Sequence, residues 1–131
     1  MRSQIRRTAL LWSNGFYLVP AVLAAQYQLW LTVIFSLGVA LFGVLYHLSR
    51  EKRFFLLDTS CAWLLIATNL VLCYLGGFQA PYFWIACLFL GLALFYHYYP
   101  WRRGAEYELN HSLWHLYGAL ITVFCILTFV L

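Results

Sequence analysis

The sequence predicts an all-α protein, a polytopic membrane helix bundle of about five transmembrane helices that forms a single domain over residues 1–131. Three observations predict it. Apolar residues make up 65% of the chain, aromatic residues 21% and charged residues 9%, which leaves too little polar surface to coat a soluble globule. Five apolar runs follow one another with short connections, each close to the roughly 20 residues that a hydrocarbon core requires. None of the runs has the period-two alternation of a membrane barrel strand. A segment in lipid must satisfy its own backbone amides, so the spans are helices.

The first run covers 8–25 and follows Arg2, Arg6 and Arg7. Asn14, Gly15 and Pro20 make it the least regular of the five. Its basic start and the Val22-Leu23-Ala24 stretch can also be read as a secretory signal with a cleavage site, and cleavage would leave the orientation of the other four spans unchanged. The second run covers 29–48 and ends at His47. After the basic connection of Arg50, Lys52 and Arg53, the third run covers 54–75 and meets Asp58 within about a turn. The fourth, 81–99, follows the uncharged connection Gly76-Gly77-Phe78-Gln79-Ala80 and closes in an aromatic cluster around Tyr96, Tyr98, Tyr99 and Trp101. The fifth, 110–131, follows Arg102 and Arg103 and opens with His111 and His115.

Charged and uncharged connections alternate completely. The positive-inside rule therefore predicts a cytoplasmic amino terminus and an external carboxyl terminus. The net charge of +4 reports this topology and contact with anionic headgroups rather than nucleic-acid binding. Gly38, Gly43, Gly91, Gly118 and Ala119 are small residues that let helices approach closely, within the chain or between copies of it in a homo-oligomer.

Topology gives each polar residue a depth. His47 ends a span at the cytoplasmic side, Asp58 stands near the start of the next, and His111 and His115 open the last. All four are expected near the inner face. Ionisable side chains are expensive in a membrane, so their presence is a functional hypothesis, and the i, i+4 spacing aims His111 and His115 to one side. Three neutral imidazoles with a fourth position left for water suit catalytic zinc, and Asp58 beside them suits an acid–base role. His97, within the aromatic cluster, reads as an interfacial residue. Cys61, Cys73, Cys87 and Cys125 show no metal spacing and read as small apolar residues.

His47, then Asp58 after a short basic loop, then His111-Ser112-Leu113-Trp114-His115 in the last span, resembles the CREST superfamily of membrane hydrolases. That superfamily includes alkaline ceramidases, lipid-remodelling hydrolases of GPI anchors and myomaker-like proteins. The family pattern is a serine one turn before the first histidine, an aspartate on the next helix and a final H-x-x-x-H. The resemblance implies His47, His111 and His115 as zinc ligands, Asp58 as the carboxylate beside the metal-bound water, and hydrolysis of a lipid amide or ester. Trp114 is similar to the aromatic residue of the ceramidase and GPI-remodelling versions. Two departures stand out: the serine position falls at Gly43, and five spans replace the usual seven.

Two other functions are expected to compete with a hydrolase. A non-catalytic scaffold or membrane-remodelling protein, pinned by zinc, accords with Gly43, although Asp58 is superfluous to it. A small proton or metal transporter would use a histidine–carboxylate pathway, but no comparable ionisable groups continue outward along the spans.

Overall fold

In the computed structural model, which describes residues 2–98 and 105–131 and the side chains of 8–98 and 108–131, the chain is helical apart from its connections. Helix α1 (Arg2–Asn14) runs through a 3₁₀ turn (Gly15–Tyr17) into α2 (Leu18–Gln26). Then follow α3 (Trp30–Ser49), α4 (Lys52–Leu75), α5 (Tyr82–Tyr98) and α6 (Ala105–Val130). No strand occurs among the described residues. Tyr99, Trp101, Arg102 and Arg103 lie outside them.

Four stretches are long and apolar enough to cross a membrane: Thr8–Gln26, Trp30–Ser49, Lys52–Leu75 and Glu108–Val130. Tyr82–Tyr98 is equally apolar but has 17 residues, about 25 Å of helix at 1.5 Å per residue. That is the short end of what a span requires. The side-chain pattern is that of a chain in lipid. Large apolar residues such as Leu31, Ile34, Trp63, Leu70, Trp84 and Leu88 point outward, while Ser13, Asn14, Thr32, Ser36, Asn69, Thr122 and Thr128 are buried. Without a hydrophobic force between helices, close packing of small residues and interhelical hydrogen bonds hold such a bundle together.

The irregularity expected in the first span has a local cause. Pro20 has no N–H to give the Phe16 carbonyl and its ring crowds that carbonyl, so the α-helix tightens into the 3₁₀ turn one step earlier. Between α3 and α4 the chain turns in two residues. Arg50 takes φ 58° with its N–H on Tyr46 O at 2.8 Å, and Glu51 N–H reaches Ser49 Oγ at 3.2 Å. So short a turn makes α3 and α4 antiparallel neighbours. Helix α4 ends in a Schellman motif, with Gly77 at φ +66°, its N–H on Tyr74 O at 3.0 Å and Phe78 N–H on Cys73 O at 2.9 Å. Glycine suits that left-handed position because it has no Cβ to clash.

Helix α6 is the hub. It packs on α1, α2, α4 and α5, whereas α3 packs on α4 and on α1–α2. Neither α3 with α6 nor α4 with α5 makes close backbone contact along its length. The first gap is wedged by the end of α1. The second stays open as a groove.

The core has three parts. Tyr17, Val39, Ala40, Leu65 and Ala119 form one, Ala24, Leu72 and Ile126 the next, and Cys73, Ala86 and Cys125 the last. Residues 8–26 are thus packed members of the bundle. Of the small residues noted above, a Cβ on Gly38 would strike the Cys61 side chain, one on Gly43 the Asn14 carboxamide and one on Gly118 the Tyr17 hydroxyl. Gly91 alone of these glycines faces open space.

Candidate metal centre

His47 sits in the last turn of α3, while His111 and His115 lie one turn apart on α6. Because α3 descends to the level at which α6 begins, the three rings converge across the α3–α6 gap. Ring centroids are 5.3 Å apart for His47–His111, 6.0 Å for His47–His115 and 4.6 Å for His111–His115. One ring nitrogen from each lies within 4.8 Å of the others. Tetrahedral zinc with bonds near 2.1 Å would bring such nitrogens to about 3.4 Å, a closer approach than the cluster has here.

Burial sharpens the point. His47 is 5% exposed and His115 6%, and neither ring nitrogen of His47 has a hydrogen-bond partner among the described residues. Leaving a buried polar atom unpaired costs about 1–3 kcal/mol, and such orphans call for an explanation such as an ion. Three convergent imidazoles with lone pairs to offer fit a borderline metal such as zinc.

The end of α1 completes the surroundings, which the sequence reading missed. Ser13 Oγ is 2.9 Å from His115 Nδ1. Asn14 is fully buried, gives its Nδ2 to Leu10 O at 2.9 Å, and has no partner for Oδ1 among the described residues. The Tyr17 ring lies edge-on to His115 with centroids 6.3 Å apart. The available signal was a polar Ser13-Asn14 pair in the middle of an apolar run, where such residues are costly unless they meet partners.

Gly43 also acquires a reason. It faces Asn14 so closely that no side chain fits. Gly43→Ser is therefore expected to destabilise the protein by about 1–3 kcal/mol, the usual range for overpacking. Adding Asn14→Ala should recover part of that loss by opening the space. Thermal melting of the single and double variants in detergent checks this; an additive loss in the double variant would contradict it.

Asp58 is half-buried on α4 and is not one of the three converging groups. The two-residue turn sets Lys52 roughly level with Ser49, so Asp58 stands about 6 Å deeper than His47 along the helix axis. Its carboxylate lies within electrostatic reach of Tyr17 and Cys61. His97 packs on Trp114, with ring centroids 4.6 Å apart, outside the group of three. Ser36 is buried too far up α3 to approach His47. Among the cysteines, Cys73 and Cys125 are buried together with Ala86 in one core cluster.

Beside the centre, the open α4–α5 gap forms an apolar groove of about 390 Å³ floored by α6. Tyr17, Trp114 and Gly118 line the end next to His115, and Phe78, Phe83 and Cys125 the far end. From Trp114 to Cys125 is about 16 Å of helix. The histidines are not in its wall; Tyr17 and Trp114 stand between. No protein-family model, curated protein or solved structure matches the chain.

Proposed function

We propose that the chain is a zinc-dependent intramembrane hydrolase of a lipid amide or ester, with His47, His111 and His115 as the ligands and Asp58 as the acid–base group. The observation that carries this reading is the convergence of three imidazoles from two helices that make little backbone contact, with both His47 nitrogens lacking a partner among the described residues. The groove supports a lipid substrate. Its volume falls in the usual range of small-molecule sites, its wall is overwhelmingly apolar and it starts one residue from a ligand histidine. When bound, zinc supplies a Lewis acid for a carbonyl and water made acidic enough to attack at neutral pH.

The remaining work falls to the chain. The groove holds an acyl chain with its head at the Tyr17–Trp114 end, and these two side chains, which stand between the groove and the histidines, turn aside to let the carbonyl reach the centre. Asp58 takes a proton from the attacking water and returns it to the departing amine or alcohol, a task worth typically 10²–10⁴-fold in rate. By the alternation of charged connections, this centre lies at the cytoplasmic boundary. A cysteine introduced at Gly77 should react with an impermeant reagent from the outer side only; reaction from the inner side alone would reverse the orientation.

A second reading is a zinc-clasped scaffold without turnover. It is favoured by the packing of Asn14 on Gly43, which closes the place of the family serine, and by the position of Asp58 outside the group of three. One assay separates the two. Zinc-loaded protein in nanodiscs should release fatty acid from at least one of a panel of ceramides and phospholipids, and stop doing so on chelation. No release across the panel favours the scaffold.

A further inference from the structure

Ser13, 2% exposed near the end of α1, occupies a place that neither the ligand set nor the groove explains. Its hydroxyl oxygen is 2.9 Å from Leu10 O and 2.9 Å from His115 Nδ1. A hydroxyl has one proton to give and a carbonyl can only accept. With the Ser13 proton on Leu10 O, the contact to His115 must be an Nδ1–H donating to Oγ. The lone pair of the ring is then on Nε2. Leu10 O also takes a hydrogen bond from Asn14 Nδ2 at 2.9 Å, which fixes the two side chains against the same turn of α1.

We infer that Ser13 is a positioning residue of the centre, holding His115 by Nδ1 so that Nε2 alone is presented to the ion. The inference rests on the reading of the three histidines as a metal centre. It explains why the first span is built as it is. The hydroxyl must reach α6 from α1, and Asn14, the next residue, sits in the recess that Gly43 leaves on α3. One turn of α1 therefore grips both ligand-bearing helices. Groups that orient a ligand histidine through its other ring nitrogen fix both its tautomer and its direction. A hydroxyl backed by a main-chain carbonyl does so without adding charge to a site in lipid.

The experiment uses full-length protein labelled with ¹⁵N histidine and loaded with zinc, with the His115 signals identified by their loss in His115→Gln. The wild-type ring spectrum should show His115 protonated at Nδ1 and metal-bound at Nε2. Ser13→Ala should weaken zinc binding by tenfold to hundredfold and speed exchange of the Nδ1 proton with water, while Ser13→Thr, which keeps the hydroxyl, should stay within about threefold of wild type. Zinc on Nδ1, or undiminished affinity in Ser13→Ala, overturns the role of Ser13 and leaves the centre standing. Failure of the wild type to bind zinc overturns both. The wild-type spectrum needs no variant, so a Ser13→Ala protein that fails to fold does not shield the inference.

Discussion

Asp58→Asn is expected to abolish fatty-acid release while the protein keeps its zinc. Asparagine is nearly isosteric with aspartate but cannot take up a proton, so a substitution at a true acid–base group removes the rate and spares the fold. The geometry makes the separation clean, because Asp58 is not among the three groups that lie within 4.8 Å of one another. Turnover should drop by about 10²–10⁴-fold, with zinc content and melting temperature close to wild type. A tenfold to hundredfold loss of zinc affinity without a separate defect in rate would instead make Asp58 a residue that orients the centre. Fatty-acid release measured alongside zinc affinity distinguishes these outcomes.

Stripping the ion from the wild type should destabilise the bundle. Helices α3 and α6 have little backbone contact of their own, and the histidine cluster bridges them. An ion that binds only the folded state stabilises it by about 4 kcal/mol when free metal is a thousandfold above its dissociation constant. Chelation should therefore lower the melting temperature in detergent by several degrees, and added zinc should restore it. The wild type is the better subject here, since a histidine variant would also leave a cavity and confuse the two effects. Superimposable melting curves with and without chelator would show that the ion does not tie the helices together.

Much of the architecture was legible in the sequence, because apolar runs of membrane length report helices almost directly. Helices α3 and α4 start and end within two residues of the limits of their apolar runs, whereas α1 begins at Arg2, six residues before its run, and α6 at Ala105, five residues before its own. Helix continues there because Glu106, Glu108 and Asn110 are polar without being helix breakers, a distinction that hydropathy does not make. The histidine cluster was legible through depth. A shared depth and an i, i+4 pair placed His47 near His111 and His115 without any knowledge of which helices touch.

Depth counted from span ends treats Asp58 as level with His47, whereas the helical rise counted from the two-residue turn sets it about a turn deeper. The contribution of α1 was not read at all. Whether Ser13 and Asn14 meet His115 and Gly43 depends on how α1 wedges between α3 and α6, a tertiary fact that no periodicity encodes. Even so, the closeness of Asn14 to Gly43 makes glycine at position 43 a packing requirement.

The most direct test of the metal centre is elemental analysis of purified wild type beside His115→Ala. One zinc per chain in the wild type, lost in the variant, is the result expected from three imidazoles forming a single cage. No metal in the wild type, or equal metal in both proteins, would contradict it.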